Sequence, residues 1–440
     1  MPQLKQALTR FDLTMIAIGS TIGSGIFLTP SSIAHELQSP WLILAVWVVG
    51  GLMAIAGALT FAELGGLMPG AGGVYVYLSK AYGGLFGFLY GWAYLLVVNT
   101  GGVAALSIAF ATYCGYFVPL DATGIRLVAI AGLGIVTALN VAGVKLGGIF
   151  SDVFTLLKMA GILFLIVAGL GWGSAGTTDF SASVGSFTDG IGSALAVAMV
   201  GVLWSYGGWQ HASFAAAEAK DPKRTVPFAM IVGAVAVTAI YLLTNVAYMF
   251  LLPPSAIGAS PRVAADAIGV VLGPSGAGII ALAIFISTFG TAGIYTLTAP
   301  RIYFAMANDG VFFQKVATIH PTFHTPAVAI ILQSLWAVVL IFFWGTFNEL
   351  ISYVVFTDWI FFGLAAASIF VFRKKKNAAA ERPYRTLGYP FTPLFFIAIA
   401  AWFVFKTLFE KPEQAIAGLG FLAVGVPVYV WWKRRSARRP

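Results

Sequence analysis

The chain has 440 residues, of which 59% are hydrophobic and only 9% are charged. Soluble domains carry about 25% charged residues, so this composition excludes a water-soluble protein. The net charge is +9, which in a soluble protein would suggest nucleic acid as a partner. In a membrane protein, basic residues that fix the orientation explain the same charge, and we expect no nucleic-acid partner.

Twelve apolar runs follow one another along the chain. A transmembrane helix needs about 20 apolar residues, so these runs predict an all-α membrane protein with about twelve spans. The third and eighth runs are long enough to predict tilt or extension beyond the membrane. The predicted spans, numbered in chain order, are 13–36, 40–66, 82–115, 126–144, 148–171, 191–216, 227–252, 275–304, 326–345, 350–372, 390–409 and 414–432.

Lysine and arginine concentrate in the loops on one side of this map. On the other side are Arg126, Arg262, Lys406 and Lys411, and Lys158 lies deep inside a span. The positive-inside rule then predicts a multi-pass protein of the cell membrane with both termini in the cytoplasm. The basic tail 433–439 either only fixes this topology or also contacts anionic lipid.

Two spans contain glycine-rich interruptions. Span 1 reads GSTIGSGIF over 19–27, and span 6 reads WSYGGW over 204–209. Both clusters could be packing contacts between close helices. However, they lie five spans apart, at positions that correspond if spans 1–5 and 6–10 form an inverted repeat, and such a pair indicates a transporter binding site. Unwound backbone offers N–H groups to a carboxylate and carbonyls to an ammonium, which matches a zwitterionic amino acid.

Several short motifs are distributed along most of the chain. They are Gly23-Ser24-Gly25-Ile26-Phe27, Ala62-Glu63-Leu64-Gly65, Ala71-Gly72-Gly73-Val74-Tyr75, Tyr206-Gly207-Gly208-Trp209, Asp221-Pro222, Asp309-Gly310, His320-Pro321 and Arg382-Pro383-Tyr384-Arg385. In this order they resemble the amino acid–polyamine–organocation superfamily, and within it the L-amino-acid transporter family. The resemblance implies the LeuT-type fold, with helices 1 and 6 broken. Residues 1–440 would form one transmembrane domain, with inverted repeats at 13–171 and 191–372 and two further helices at 390–432.

The resemblance also implies a function, namely sodium-independent exchange of neutral L-amino acids by alternating access. Gly207 stands where relatives that carry cationic substrates can have aspartate, so a second positive charge would lack a partner. Trp204 would cover the substrate as a lid, and the carbonyls of Thr21 and Trp204 would accept from its ammonium. The implied substrate-binding residues are Ser20, Thr21, Gly23, Ser24, Gly25, Trp204 and Gly207.

Lys158 lies well inside span 5. A charge this deep costs ~2.5–3.5 kcal/mol on insertion scales, so the lysine either extends to the membrane surface or has a partner inside the bundle. The resemblance implies the second case. Lysine at this position in related carriers takes the place of a sodium ion, and its ammonium would contact carbonyls within 19–22. As a gating and coupling residue it favours exchange if it stays charged, and proton-coupled symport if it releases a proton.

Four other residues have roles that the sequence leaves open. Glu63 is either a functional carboxylate or a structural salt bridge, and Asp358 is a carboxylate in mid-span with no evident partner. His211 is either a pH sensor or an ordinary hydrogen-bonding residue. Animal members of the family that the chain resembles bind a heavy subunit through a cysteine in the loop after span 3. Cys114 lies at the end of that span instead, so we expect no covalent heavy subunit.

Other classes of protein find little support in the sequence. His320 and His324 are four residues apart, but the intervening Pro321 argues against a helical metal site, and the sequence has no phosphate-binding loop. We therefore expect no enzyme, no metal and no cofactor. A channel or a purely structural membrane protein would not need paired broken helices.

Overall fold

The computed structural model describes residues 4–174, 177–181, 190–343, 347–374, 382–410 and 412–437. In these residues the chain forms helices joined by turns and one isolated β-bridge. Ten helices are long and apolar enough to cross a membrane, and two shorter apolar helices bring the number to the twelve predicted. The twelve spans are Arg10–Leu37, Pro40–Leu67, Gly84–Cys114, Ala122–Val141, Val144–Trp172, Ile191–Tyr206, Pro222–Leu251, Val263–Thr298, Ala327–Phe343, Phe347–Lys374, Phe391–Glu410 and Pro412–Ala437.

Spans 3 and 8 differ from their predicted limits. Span 3 begins at Gly84, because Gly83 has a φ of 101° and separates it from a short helix, Val74–Tyr82. Span 8 begins well before the predicted residue 275 and bends at Gly273, where φ is 62°. In both cases a glycine with positive φ therefore separates the helix of the predicted run from a helical segment that precedes it.

The first four spans each pack against the span five positions later. Contacts join the second half of span 1 to span 6, span 2 to span 7, span 3 to span 8 and span 4 to span 9. Two inverted repeats of five spans around one axis would produce these pairs. The packing supports the predicted repeat, while its limits at 13–171 and 191–372 remain a prediction.

Spans 1 and 6 are both interrupted, as predicted. The first half of span 1, Arg10–Thr21, starts with a capping box and ends where Ile22 takes a ψ of 88°. The second half begins at Gly25. Span 6 ends as a regular helix at Tyr206, and a helical turn resumes at His211. Both breaks are narrower than the glycine-rich motifs, because residues 19–21 and 204–206 stay helical.

Buried ion pairs hold one end of the bundle together. Arg301, just after span 8, and Glu218, after span 6, pair at 2.7 Å with both side chains fully buried. Glu63 of span 2 pairs with Arg373 at 2.5 Å and also with Arg382. The structural interpretation of Glu63 is therefore correct. We call this end of the bundle, defined by these three arginines, the basic end.

The N-terminal segment is fastened at the basic end as well. Leu8 forms a β-bridge with Ala219, directly after the buried Glu218. The backbone N–H of Lys220 donates to the carbonyl of Leu8 over 2.8 Å. The start of span 1 and the end of span 6 are thus tied to each other on this side.

Candidate functional site

The two breaks contact each other directly. Ser20 Oγ donates a hydrogen bond to the carbonyl of Gly208 over 2.8 Å. Gly208 has a φ of 135°, and a Cβ atom on it would lie 2.5 Å from the carbonyl carbon of Ser20. On Gly25, a Cβ atom would lie 2.7 Å from the Cα atom of Ser205. Only glycine permits this approach, so the two helices meet at and directly beside their breaks.

Packing does not explain the other two glycines of the breaks equally well. A Cβ atom on Gly207 would be 3.4 Å from the carbonyl oxygen of Leu203, which is an ordinary contact. On Gly23 it would be 3.3 Å from the methyl group of Thr291, a contact that a small shift relieves. The packing interpretation therefore accounts for Gly25 and Gly208, but the missing side chain at Gly207 leaves space at the break.

Donors for an anion collect at the start of the second half of span 1. Ser24 is the N-cap residue of Gly25–Leu37 and makes no side-chain capping bond. Its hydroxyl instead accepts from the indole Nε1 of Trp204 over 3.3 Å. The first N–H groups of a helix have no partner inside the helix, and the helix dipole there favours negative charge. The geometry can bind a carboxylate.

The carbonyls expected to bind an ammonium already accept protein hydrogen bonds. The carbonyl of Thr21 accepts from the hydroxyl of Tyr241 over 2.9 Å and from the N–H of Gly23 over 3.0 Å. The N–H of Gly207 donates to the carbonyl of Trp204 over 3.3 Å. A carbonyl oxygen has two lone pairs, so Thr21 can accept from an ammonium only when one of its two present donors gives way.

Lys158 is fully buried and does not extend to the membrane surface. Its Nζ donates to the carbonyls of Gly19 and Ile22, each over 2.8 Å, and to Thr291 Oγ1 over 2.6 Å. These are the carbonyls that the resemblance implies. Three acceptors match the three N–H bonds of an ammonium. The lysine thereby joins span 5 to span 1 at its break and to span 8.

A small cavity of about 30 Å³ lies beside the break of span 6. Trp204 and Gly207, both expected at the substrate, belong to its lining. Its other polar or ionisable lining residues are Tyr94, Asn99, Gln210, His211, Tyr295 and Asp358. We call it the central cavity. It is mostly enclosed by aromatic and branched side chains of spans 3, 6, 8 and 10.

A larger cavity of about 660 Å³ lies elsewhere, between the second half of span 1, the end of span 3 and the segment 258–262. Its lining includes Glu36 and Arg262 and shares no residue with the central cavity. It is on the side away from the basic end, so it is a wide recess of the bundle rather than the site between the breaks.

His211 is a structural hydrogen-bonding residue in this conformation. Its Nδ1 lies 2.6 Å from Thr298 Oγ1, and its Nε2 lies 3.2 Å from the hydroxyl of Tyr94. The imidazole also stacks on Tyr295, with the ring centres 4.3 Å apart. Both ring nitrogens therefore have a partner, which favours the ordinary interpretation over a pH sensor.

Asn99 is a cavity residue that the sequence reasoning missed. Directly before it, span 3 contains a π-helical turn, Tyr94–Val98. Thr100 Oγ1 stabilises this turn by donating to the carbonyl of Leu95 over 2.6 Å. The signal in the sequence was a polar Asn-Thr pair in the middle of an apolar span, since such residues usually face the interior of a bundle.

Twelve spans, two of them broken and meeting beside a buried cavity, define a multi-pass membrane transporter. The sequence model of the family described as "Amino acid permease" matches residues 8–429. The chain belongs to this family, so it is an amino acid transporter and not an enzyme.

Three similar proteins cover nearly the whole chain. The b(0,+)-type amino acid transporter 1 of Mus musculus is 30% identical over 436 residues, which are 96% of this chain and 88% of that protein. The serine/threonine exchanger SteT of Bacillus subtilis is 30% identical over 433 residues, or 97% and 96%. The human cystine/glutamate transporter is 28% identical over 444 residues, or 98% and 87%.

Proposed function

We propose that this protein exchanges neutral L-amino acids across the cell membrane by alternating access and without sodium. The observation that carries the proposal is the contact between the breaks, where Ser20 of span 1 bonds to Gly208 of span 6. It places the start of one half-helix and the free end of another at one buried point. A zwitterion is the ligand whose two charges match those ends.

Each end has a group for one charge of the amino acid. The substrate carboxylate binds the N–H groups at Gly23, Ser24 and Gly25, and the ammonium binds the carbonyls of Thr21 and Trp204. The N–H of Gly23 donates to the carbonyl of Thr21 over 3.0 Å in this structure, so substrate binding breaks this hydrogen bond and frees both groups. The space at Gly207 lets the substrate enter the break. Trp204 covers it, since its indole already bridges to Ser24 across the two spans.

Sodium independence rests on Lys158. Its ammonium lies on the carbonyls of Gly19 and Ile22. Carbonyl oxygens at a helix break are the ligands that a transported cation would use. Because the ammonium of Lys158 already binds these carbonyls, a sodium ion has no ligands left there. The site therefore needs no sodium for its charge balance.

Exchange is favoured over proton-coupled symport by the same lysine. With three acceptors around Nζ, the charged form has a partner for every N–H bond, and deprotonation would leave at least one acceptor without a donor. Symport through Lys158 remains the alternative. One relative is named an exchanger, which supports the choice, whereas a channel would not explain the paired breaks.

The membrane orientation and the partners are proposed on charge and position. The basic end faces the cytoplasm, which places both termini there by the positive-inside rule. Cys114 is half-buried at the end of span 3, so we propose that no heavy subunit is bound covalently. The other partners are the amino acid substrates and the membrane lipids.

Transport by purified protein in liposomes tests the proposal. Liposomes preloaded with unlabelled alanine should take up labelled alanine, while empty liposomes should not, and replacing sodium with choline should change nothing. Uptake that needs sodium would contradict the role given to Lys158. Uptake that needs a proton gradient but no internal amino acid would establish symport instead.

A further inference from the structure

Two polar side chains in the central cavity have hydrogen-bonding atoms without a partner. Among the described residues, nothing bonds to Nδ2 or Oδ1 of Asn99, although the residue is buried. The same holds for Oδ1 of Asp358. Buried polar side-chain atoms are hydrogen-bonded in the large majority of cases, so each exception needs an explanation. Both residues line one cavity beside the substrate site, so a ligand bound to both would satisfy these unpaired atoms.

The backbone presents Asn99 to the cavity in an unusual way. It follows the π-helical turn Tyr94–Val98, which inserts an extra residue into span 3 and shifts every later side chain around the helix. Such turns occur often at functional sites and cost helix stability, so they are seldom incidental. Asp358 comes from span 10, on a different repeat, and its side chain retains some accessible surface although it lines an interior cavity.

The neighbouring charged groups have other partners. Lys158 directs its three donors to span 1 and span 8. Arg301 is paired with Glu218, and both ring nitrogens of His211 are hydrogen-bonded. In the part of the chain that the structure describes, no salt bridge reaches Asp358. A donor for its carboxyl group must therefore come from outside these groups.

We infer that Asn99 and Asp358 bind the side chain of the substrate and select small neutral amino acids that carry a hydroxyl group. The inference rests on the proposed function, since it names the substrates of the same site. The route is short, because Gly207 has no side chain and belongs both to the span 6 break and to the cavity lining. A substrate held at the breaks would direct its side chain between the two residues.

The size and chemistry of the cavity decide between hydroxyl and cationic side chains. A water molecule needs roughly 10–15 Å³ by this measure, so about 30 Å³ holds a hydroxyl and a methyl group but not a lysine or arginine side chain. A hydroxyl can donate to Oδ1 of Asp358 and accept from Nδ2 of Asn99. An aliphatic side chain of the same shape would leave both atoms unpaired, which is a penalty on binding.

Competition between amino acids of equal shape tests the inference in proteoliposomes. Threonine has a hydroxyl where valine has a methyl group, so the two side chains have nearly the same shape and fill the cavity equally well. We expect threonine to compete for labelled alanine exchange about tenfold better than valine. Serine should likewise exceed 2-aminobutyrate, and lysine should compete weakly.

Variants assign the preference to the two residues. Asp358→Leu and Asn99→Leu should each bring the threonine-to-valine ratio close to one, measured on the alanine exchange that each variant retains. The control is Asn308→Leu, the same change at an exposed helix end, which should keep the wild-type ratio. If Asp358→Leu does not fold, the threonine-to-valine ratios of the wild type and of Asn99→Leu still test the inference.

The outcomes separate the inference from the proposed function. Alanine exchange in which threonine and valine compete equally would overturn the inference and leave the exchanger intact. Stronger competition by lysine than by threonine would also overturn it, because Asp358 would then bind a cation. If no amino acid is exchanged by the wild type, the proposed function fails and the inference fails with it.

Discussion

Replacing Lys158 by alanine removes the one cation that joins span 5 to the break of span 1. The substitution takes a donor away from the carbonyls of Gly19 and Ile22. Thr291 also lies within 3.0 Å of both carbonyls, but its hydroxyl has a single proton and can donate to one of them at a time. Ser287 Oγ lies 3.4 Å from the carbonyl of Ile22, but it is closer, at 3.0 Å, to that of Gly23. Two hydroxyl protons then serve three carbonyls, so one carbonyl at the break is left without a protein donor.

The magnitude follows from that orphaned carbonyl. An unsatisfied buried polar group costs about 1–3 kcal/mol, and the conformation that depends on the lysine is destabilised relative to the other by this amount. A shift of this size changes a conformational equilibrium by roughly five- to 150-fold. We expect the maximal exchange rate of Lys158→Ala to fall at least about fivefold.

The assay is alanine–alanine exchange in proteoliposomes, with sodium or choline as the external cation. Lys145→Ala is the matched control, since Lys145 lies on the same helix but is exposed, and it should exchange at the wild-type rate. Wild-type exchange rates in Lys158→Ala would refute the coupling role of the lysine. Stimulation of Lys158→Ala by sodium would instead support it, because the ion would then occupy the vacated position.

Three further changes give separate tests. Gly25→Val should abolish substrate-induced thermal stabilisation, because its side chain would meet the backbone of Ser205, and retained binding would remove this contact from the site. Trp204→Phe loses one hydrogen bond, so the KM for alanine should rise about fivefold, and an unchanged KM would argue against the lid. Glu218→Gln leaves Arg301 buried without a counter-charge, which should lower the free energy of unfolding by about 3–5 kcal/mol. The melting temperature in detergent should therefore fall, and an unchanged value would contradict the importance of this pair.

The local features of the fold could be predicted from the sequence. Long apolar runs give the spans because the membrane sets their length, and Gly207 and Gly25 mark the breaks because glycine permits unwinding and close contact. The limits of the breaks were set too wide. Trp204 stays in the helix, since its backbone bonds are still satisfied and the motif alone does not show where the last turn ends.

The central cavity could not be predicted in the same way. Asn99 and Asp358 are more than half the chain apart, and only the packing of span 3 against span 10 brings them to one cavity. Neither break contains an acidic residue, which is the basis in the sequence for neutral substrates. Asp358 of span 10 nevertheless places a carboxyl group in the cavity, and only the structure shows this.

The glycine contact between spans 1 and 6 has a mechanical consequence. The backbone at Gly25 touches that at Ser205, and the hydroxyls of Thr29 and Ser205 lie 2.9 Å apart one turn further along. Two helices packed this closely cannot slide or separate without breaking these contacts. The second half of span 1 and the first half of span 6, which make this contact, therefore move as one unit. Spectroscopic labels placed on the two should keep a fixed separation while both move against the rest of the bundle.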